Sequence, residues 1–385
     1  MDENGAAHIS QFFVSLPDPR RDHTRRHKLT DIVVMALCAV LSGADDYEAI
    51  AEFCEMHETW LRTFLELPGG VPAHDTFWRV LRALDAEAFE RCFMQWAASV
   101  RKVVPGEVIA VDGKQVTGSR QACEGLPPIH LISAWATQSG LMLGQMRLAD
   151  KENEIVAMPE LLRQLHLEGC LVTADAMNCQ VATAQTIVDR KADYLLALKA
   201  NQSSLHTETV QLFDDLAASG GKAYPHSYAK EVNADHGRIE IRQAWVIADP
   251  FWLQQLPSTA RWPNLVALVK LASERRMQNT GEVSHDTRYY ICSKALPAAD
   301  AITATRAHWQ IENSLHWVLD VAFGEDDARV RKDNGAENFA LLRRLALAAL
   351  KRDTTCKLGV KNKRFKATFD ADYRLHLLGL IVQSS

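Results

Sequence analysis

From residue 29 to about residue 100, apolar residues recur at three- and four-residue spacing. The segments with this pattern are LTDIVVMALCAVLSG, DDYEAIAEFCEMH, ETWLRTFLEL and DAEAFERCFMQWAASVRKV. Such spacing puts apolar side chains on one face of an α-helix, and Gly/Pro or Asp/Thr breaks separate the segments. The pattern therefore predicts an N-terminal α-helical domain over residues 1–103.

One part of this domain, GGVPAHDTFWRVLRALD (69–85), has the pattern of a turn followed by a short helix. Asp75 or Thr76 is expected to cap the helix, and Arg79 and Arg82 are expected to point outward. That arrangement is the general shape of a helix-turn-helix DNA reader, and an ordinary surface helix is the alternative. The segment makes the domain a candidate for binding DNA ends.

After Pro105, apolar runs of strand length alternate with helical segments. Strands are expected at VIAVD (108–112), HLISAWA (130–136), LMLGQMRLA (141–149), CLVTAD (170–175) and DYLLALK (193–199). The second and third strands are joined through TQSG as a hairpin, and helices are expected from Glu154 to about His166 and from about Gln180 to Arg190. This order packs as an α/β fold with a mixed five-stranded sheet and helices on both faces.

A second group of strand patterns lies between about 220 and 297. They are HSYAKEVN, GRIEIRQAWVI, NLVALVKLAS and TRYYICSK, and turn signals separate them. Helices are expected afterwards at about 300–322, 335–352 and 371–380. The pattern predicts a catalytic domain over residues 104–385 that a β-rich insertion interrupts.

Composition narrows the class of protein. The apolar stretch IVVMALCAVL (32–41) is too short to cross a bilayer, so neither a membrane span nor a signal peptide is expected. Eight cysteines without a C-x-x-C pair suggest neither a disulfide framework nor a zinc cluster. A cytoplasmic protein with reduced thiols and no membrane partner is the expectation.

The charge is distributed unevenly. The formal net charge is −5, yet residues 18–28 hold five Arg/Lys against two Asp, and residues 351–366 hold seven Arg/Lys against one Asp. Basic segments on an acidic body are candidate DNA contacts, because binding to DNA depends on neutralising its phosphates. Solvated tails that keep the protein soluble are the alternative.

Three acids are candidate metal ligands. Asp112 and Asp175 each end a predicted strand, and neighbouring parallel strands direct such residues to one crevice. Two adjacent carboxylates are unfavourable without a cation between them, and oxygen donors suit Mg²⁺ or Mn²⁺. Glu312 is expected on a helix pressed against the sheet, where a carboxylate needs a partner. The alternatives are a helix cap for each aspartate and, for Glu312, a salt bridge with Arg306 or Arg329.

These motifs carry a family resemblance. A strand ending in DGK, a second ending in ADA before Cys-Gln, the β-rich insertion and HWQIENSLHWVLDVAFGEDDARVRKDNGAENFALLRR together resemble the DDE transposases of bacterial insertion sequences. The nearest group is the ISAs-type or H-repeat-associated proteins. The block around HWQIENSLHW is the most specific part, and the N-terminal module with LPDPR resembles the domain that precedes the catalytic domain in that group.

The resemblance implies a ribonuclease-H-like core in which Asp112, Asp175 and Glu312 hold two divalent ions, Mg²⁺ or Mn²⁺. It implies metal-dependent cleavage and strand transfer on double-stranded DNA, at element ends and at a target. Lys114 would hold a nearby phosphate by its charge. The family also implies a homodimer assembled on DNA, and hence a nucleoid-associated protein in the cytoplasm.

The chain departs from related transposases on the Glu312 helix. A tyrosine and an arginine usually precede the glutamate and a lysine follows it, whereas this chain has Thr305, His308 and Leu319 at comparable spacing. Candidate DNA contacts that replace this signature are His308 and Asn313, with His316 as a further possibility. Buried core histidines are the alternative.

Two further sets of residues extend the candidate site. Arg238 and Arg242 alternate with His236 on one predicted strand and are candidates for lining a DNA groove, with an exposed strand face as the alternative. Glu325 and Asp326 are alternative acids that rank below Glu312. Besides an active transposase, the sequence leaves open a catalytically inactive or domesticated DNA-binding relic, and a ribonuclease or repair nuclease is disfavoured by the added modules.

Overall fold

The computed structural model of the protein describes residues 9–101, 104–121, 127–148, 154–235 and 237–382. The chain divides into two compact units. Unit 1 combines residues 1–103, 113–151 and 312–385, and unit 2 combines residues 104–112 and 152–311. The predicted domains, 1–103 and 104–385, are continuous along the chain, whereas these units are made of separate segments. The predicted division stays a prediction. His236 and the last residue of the strand expected at 141–149 lie outside the described residues.

Helices occupy both ends of the chain and alternate with strands in its middle. The α-helices are α1 (Leu29–Leu41), α2 (Tyr47–Met56), α3 (Glu58–Leu61), α4 (His74–Ala83), α5 (Ala86–Val100), α6 (Glu154–Gln164), α7 (Val181–Asp189), α8 (Ser203–Ala218), α9 (Pro250–Gln254), α10 (Ala298–His308), α11 (Trp317–Phe323), α12 (Gly335–Arg352), α13 (Val360–Phe369) and α14 (Ala371–Val382). A π-helical turn covers Ile311–His316. Short 3-10 turns lie at Ser10–Phe13, Asp22–Thr24, Thr117–Ser119, Ala200–Gln202 and Pro257–Arg261.

The strands are β1 (Val108–Gln115), β2 (His130–Ala136), β3 (Leu141–Leu148), β4 (Leu171–Ala174), β5 (Asp193–Leu198), β6 (Ser227–Asp235), β7 (Arg238–Ile247), β8 (Ala267–Met277) and β9 (Val283–Cys292). They are hydrogen-bonded in the order β3-β2-β1-β4-β5-β9-β8-β7-β6. β4 pairs in parallel with both β1 and β5, and the other recorded pairs are antiparallel. The fold is therefore mixed α/β.

A separate five-stranded sheet is not confirmed: the five expected strands are contiguous, as β3-β2-β1-β4-β5, in a sheet of nine strands. The four strands of the insertion do not fold apart from it. β9 pairs antiparallel with β5, from Leu195↔Cys292 to Leu198↔Tyr289, and so satisfies the edge that β5 would otherwise expose. Alternation along a strand shows which face is buried but carries no signal for the strand beside it.

The core of unit 1 contains two helices that are buried nearly all round. In α1 every residue except Thr30 is buried, and α12 is buried along most of its length. Such helices are surrounded by protein, and α2, α4, α5 and the C-terminal helices pack against one or both of them. None of the described helices has the length and apolar character needed to cross a membrane.

The core of unit 2 lies between its strands and α10. Val108 of β1, Leu171 of β4 and Leu195 of β5 share a buried apolar cluster with Val269 of β8 and Ile302 of α10. The parallel strands β1 and β4 are short apolar runs buried along most of their length, as strands covered on both faces usually are. This packing fixes the ends of β1 and β4.

Two local expectations need correction. The segment expected as one helix at about 300–322 contains α10, the π-helical turn and α11. The helix in segment 69–85 is confirmed as α4, but its N-cap is Ala73 rather than Asp75 or Thr76, and no side chain caps it. The carboxylate of Asp75 faces Arg79 instead, at 3.2 Å, so it is not available to the first-turn amides.

Candidate active site

The register of β1 and β4 puts two carboxylates side by side within unit 2. Val111 of β1 is the partner of Ala174 of β4, and the next residues along the two parallel strands are Asp112 and Asp175. Neighbouring strands lie about 5 Å apart, so the two aspartates occupy adjacent positions, where β4 has ended and β1 continues to Gln115. Each aspartate is half-buried. Sequence reasoning predicted this juxtaposition from the strand ends alone.

Asp175 is held by a short polar network. Its carboxylate accepts hydrogen bonds from the backbone amide of Asn178 at 3.2 Å and from Asn178 Nδ2 at 3.0 Å. Asn178 Nδ2 also donates to Glu154 Oε1 at 2.7 Å, and both Asn178 and Glu154 are buried. The turn-capping role expected as an alternative for Asp175 is therefore present. Glu154 was missed as a candidate, because one glutamate at the start of a helix carries no sequence signal of its own.

A histidine lies behind the same strand. His308 Nδ1 and Thr173 Oγ1 are 3.0 Å apart, and Thr173 precedes Asp175 by two residues on β4. Burial, with a smaller contribution from Arg288, lowers the pKa of His308 to about 4. The imidazole is therefore neutral at physiological pH and can act there only as a hydrogen-bonding group. Its predicted DNA contact stays a prediction.

Glu312 and Asn313 lie in the π-helical turn, and both are exposed. Glu312 is the first residue of its segment of unit 1, whereas Asp112 and Asp175 belong to unit 2. Turns of this kind are rare in proteins and occur frequently at functional sites. His316, at the end of the turn, is buried, and burial together with Arg344 and Lys114 lowers its pKa to about 3.

Lys114 belongs to a buried charge network in unit 1. Its ammonium pairs with the carboxylate of Asp320 and lies 3.2 Å from Glu325 Oε2. Glu325 Oε1 in turn accepts a hydrogen bond from Arg344 Nη1 at 2.8 Å, and the side chains of Glu325 and Arg344 are both fully buried. We call Lys114, Asp320, Glu325 and Arg344 the Lys114 network. The contact between Lys114 and a DNA phosphate stays a prediction. In the structure, the ammonium of Lys114 already pairs with two carboxylates.

The charges in the Lys114 network set its protonation. Burial raises the pKa of Glu325, but Arg344 and Lys114 outweigh burial and bring that pKa down to about 2. Burial raises the pKa of Asp320 despite its pairing with Lys114. Glu325, one of the two alternative acids, thus has a structural role that requires its charge.

Gly118, in the DGKQVTGSR segment, lies very close to the backbone of the loop at residues 326–328. A Cβ on this residue would lie 2.3 Å from the carbonyl oxygen of Ala328 and 2.7 Å from that of Asp326. Asp326, the other alternative acid, also accepts a hydrogen bond from the backbone amide of Thr117 at 3.2 Å. Any larger residue at position 118 would push the 326–328 loop away.

The two arginines of α4 differ in their surroundings. Arg79 is exposed and pairs with Asp75 one turn earlier. Arg82 stacks over the Trp78 ring at 4.3 Å and donates to Asp333 Oδ2 at 2.6 Å. Their DNA contacts stay predictions, and Arg79 is the more accessible of the two.

Arg238 and Arg242 lie on one face of β7, as the strand alternation predicts, and Glu240 lies between them. Arg238 Nε is 3.0 Å from Glu240 Oε1, Arg242 pairs with the same carboxylate, and Arg275 of β8 lies 3.2 Å from it. Three guanidinium groups thus share one acid beside a groove of about 400 Å³ that Arg306 also lines. Burial raises the pKa of Glu240, but Arg242 and Arg238 together bring it below its ordinary value.

The basic segment 351–366 is partly structural. Arg364 is buried and donates to the carbonyl oxygens of Val40, Ala44 and Ala322 at 2.7–2.9 Å and to the carboxylate of Asp45 at 2.6 Å. Lys363 is buried and donates to Leu350 O at 2.9 Å. These two cations hold unit 1 together and are not available to DNA phosphates.

The carboxylates of Asp112 and Asp175 are possible ligands for a divalent ion. Paired carboxylates are the oxygen ligands that Mg²⁺ and Mn²⁺ prefer, and Asp112 and Asp175 provide such a pair. Within the described ranges, no three His, Cys, Asp or Glu side chains are grouped closely enough to hold a metal ion. The two aspartates fit the chemistry of such an ion, and their role as its ligands stays a prediction.

Comparisons with known proteins identify the family of this mixed α/β chain. Residues 104–349 match the family described as the transposase DDE domain, and residues 10–97 match the family associated with that domain. The chain therefore belongs to the DDE transposase family.

Two relatives from Escherichia coli resemble the chain over most of its length. The "Putative transposase YncI" of strain O157:H7 is 38% identical over 359 residues, which cover 93% of this chain and 91% of the relative. The "H repeat-associated putative transposase YhhI" of strain K12 is 36% identical over 365 residues, covering 94% and 95%. A shorter protein of strain K12 named "Inactive transposase YbfQ" is 42% identical over 65 residues, which cover 17% of this chain and 77% of that protein.

Proposed function

We propose that this chain is an active transposase that cleaves and joins DNA at the ends of an insertion-sequence element. The observation that carries the proposal is the register of β1 and β4, which sets Asp112 beside Asp175. Two carboxylates side by side on adjacent strands repel each other unless a cation lies between them. A pair kept in this position is therefore best explained as a ligand pair for Mg²⁺ or Mn²⁺.

The divalent ions, two in this family, would supply Lewis-acid stabilisation of the phosphoryl group that is transferred. The chain's own residues orient the ligands. Asn178 fixes one carboxylate oxygen of Asp175 by two hydrogen bonds, and buried Glu154 holds Asn178 in turn. Thr173 and the neutral His308 form a hydrogen-bonded pair along the same strand.

Glu312 is proposed as the third acid that the reaction requires. The family resemblance assigns it this role, and its exposed position in a π-helical turn leaves the carboxylate accessible. We further propose that the catalytic core is ribonuclease-H-like. The order β3-β2-β1-β4-β5, with β1, β4 and β5 parallel, supports this proposal.

Double-stranded DNA is the proposed partner, both as element end and as target, with a homodimer assembled on it in the nucleoid. Arg238 and Arg242 are proposed to contact phosphates from the groove on β7, whose lining holds three arginines and two acids, Asp235 and Glu240. On α4, Arg79 and Arg82 are proposed to contact DNA. Lys114, His308 and Asn313, which lie outside α4, are also proposed DNA contacts. Phosphate contacts of this kind make binding weaken steeply with salt.

The test is metal-dependent nicking of a duplex that carries the element's own end. The native protein is expected to nick it with Mn²⁺ or Mg²⁺, whereas Asp112→Asn, Asp175→Asn and Glu312→Gln are expected to bind the duplex equally well and not cut. Asp189→Asn is the matched control, because Asp189 is exposed and only accepts a hydrogen bond from Gln185. Native-like cutting by either Asp112→Asn or Asp175→Asn would overturn the proposal.

A catalytically inactive or domesticated DNA-binding relic is the second candidate. One relative is named an inactive transposase, and Asp175 takes part in a turn that would need it in any case. If the native protein binds the element end but does not nick it with either metal, this second function replaces the first. The aspartates would then be structural.

A further inference from the structure

Helix α13 exposes an aromatic and basic face. Lys361, Phe365 and Phe369 follow one another at four-residue spacing, so they lie on one side of the helix. Phe365 is 66% exposed and Phe369 is 75% exposed, while Lys363 and Arg364 on the opposite side are buried. We call Lys361, Phe365, Lys366 and Phe369 the α13 face.

This degree of exposure is unusual for phenylalanine. A soluble protein rarely leaves large apolar side chains together on its surface unless something binds them. The two rings pack edge to face with centroids 5.1 Å apart, so they form a preassembled aromatic surface rather than two independent side chains. A ligand with flat apolar faces matches this surface.

The charges around the rings restrict the chemistry of that ligand. Lys357 and Lys361 are exposed on the same segment, and Lys366 lies 3.7 Å from Asp370 and 4.3 Å from the centre of the Tyr373 ring. The α13 face is therefore positive, although the whole chain has a net charge of −5. An anionic ligand fits it, whereas two copies of the face packed together would bring their lysines into repulsion.

We propose that the α13 face binds single-stranded or unpaired DNA. Bases would stack on Phe365 and Phe369, and the phosphates between them would lie near Lys361. Aromatic platforms flanked by cations are the usual means of holding single strands, because every base has a π-face and every nucleotide has a phosphate. The proposal goes beyond cleavage at the element end and does not depend on the acids at positions 112, 175 and 312.

The first experiment measures affinity for a labelled oligothymidylate by fluorescence anisotropy, with the full-length protein. Phe365→Ala and Phe369→Ala are each expected to weaken binding about tenfold or more, the effect of losing one stacked base. Phe251→Ala is the matched control, because Phe251 is 62% exposed and packs edge to face with Trp252 at 5.1 Å. A control variant that weakens binding as much as the α13 variants would overturn the proposal.

Leucine substitutions separate DNA stacking from contact with a second copy of the chain. Leucine keeps apolar area but has no ring, so the Phe365→Leu, Phe369→Leu double variant should bind oligothymidylate as weakly as the alanine variants. Sedimentation should show the same oligomeric state for all of them. Two outcomes would overturn the proposal in favour of a protein contact. One is a leucine variant that binds oligothymidylate as tightly as the native protein, and the other is an oligomer that dissociates in the alanine variants alone.

The lysines give an independent readout. Lys361→Gln should reduce the slope of log affinity against log salt by about 0.7, the value for one phosphate contact on a single strand. Asp112→Asn in the same assay should bind oligothymidylate like the native protein. Loss of nicking in Asp112→Asn with retained single-strand binding supports both proposals, whereas unchanged affinity in the phenylalanine variants overturns this one alone.

Discussion

Val111 and Ala174 are register partners on adjacent parallel strands, and each is followed directly by an aspartate. Asp112 and Asp175 therefore occupy adjacent positions on the two strands. The backbone hydrogen bonds of the strands fix these positions, and Asn178 orients the carboxylate of Asp175. A ligand pair whose backbone is fixed in this way loses less entropy when an ion binds.

The network around Asp175 gives the first prediction. Asn178→Ala removes the one Nδ2 group that donates to both Asp175 and Glu154, and both hydrogen bonds lie in buried or half-buried surroundings. We expect the free energy of unfolding to fall by about 1–3 kcal/mol, because buried Glu154 loses a donor. We also expect slower nicking, since Asp175 loses its orientation. Urea denaturation and single-turnover nicking measure the two effects.

Gln185→Ala serves as the control for Asn178, because Gln185 is exposed and bonds only to Asp189 within α7. It should change neither stability nor nicking. If Asn178→Ala is less stable but nicks at the native rate, Asn178 supports the turn and does not orient a catalytic group.

The Lys114 network gives the second prediction. Arg344→Met removes the guanidinium that donates a hydrogen bond to the fully buried Glu325, and this should lower the free energy of unfolding by about 3–5 kcal/mol. The double variant Glu325→Gln, Arg344→Met should be more stable than Arg344→Met alone, because it no longer buries a charge without its partner. Denaturant titrations of the variants measure this coupling, and strictly additive losses would contradict it.

The same network predicts a stability change in acid. The pKa of Glu325 in the folded chain is about 2, below its ordinary value of 4.5. The stabilisation from its charge is therefore complete above about pH 4.5 and is lost as the pH falls towards 2. Glu325→Gln should be less stable than the native protein at neutral pH, and the difference should shrink between pH 4.5 and pH 2. Thermal unfolding across this range measures it.

Glu90 predicts the opposite trend with pH. This side chain of α5 is buried, accepts a hydrogen bond from the amide of Gln145 at 2.8 Å, and has its pKa raised by burial to about 8. The unfolded chain releases this proton near its ordinary pKa of 4.5, so stability should fall as the pH rises from about 4.5 to 8. Glu90→Gln should flatten that fall, as measured by denaturation at pH 5 and pH 8.

Glu87→Gln is the matched control for Glu90. Glu87 lies one turn earlier on α5 with its side chain 90% exposed. Its removal should leave the fall caused by Glu90 in place, because burial and not Glu87 raises the pKa of Glu90. A pH dependence that Glu90→Gln leaves unaltered would show that Glu90 is ionised in the folded protein.

The basic segment 351–366 gives the last prediction. Arg364→Ala removes hydrogen bonds to three carbonyl groups and the pair with Asp45, so it should lower the free energy of unfolding by about 3–5 kcal/mol. Lys361→Ala, three residues earlier on the exposed side of α13, should leave stability unchanged. Thermal denaturation of the two variants compares them directly. Equal stability of both would contradict the structural role of Arg364.

Much of the sheet could be predicted because its strands are marked by short apolar runs between turn residues. β2 spans the predicted residues 130–136, and β1, β4 and β5 differ from their predictions by three residues or fewer at either end. The size of the sheet could not be predicted. The pairing of β9 with β5 joins residues about a hundred positions apart, and no local pattern specifies such a partner.

The basic C-terminal segment was the least predictable. Its lysines and arginines suggest a solvated or DNA-binding segment, yet α13 forms there and buries Lys363 and Arg364. Charge density alone cannot distinguish an arginine that binds phosphate from one that binds backbone carbonyl groups, because the guanidinium donors suit both.

By itself, the sequence determined the order of helices and strands and the position of Asp175 at the end of β4, because periodicity and turn residues are local properties. It also placed Asp112 on β1, although β1 continues beyond it to Gln115. It also carried the resemblance to the DDE transposases. Only the tertiary structure decided that Val111 pairs with Ala174, that Asn178 links Asp175 to Glu154, and that Lys114 lies among carboxylates. Those relationships depend on strand register and burial, which arise from contacts between residues far apart in the chain.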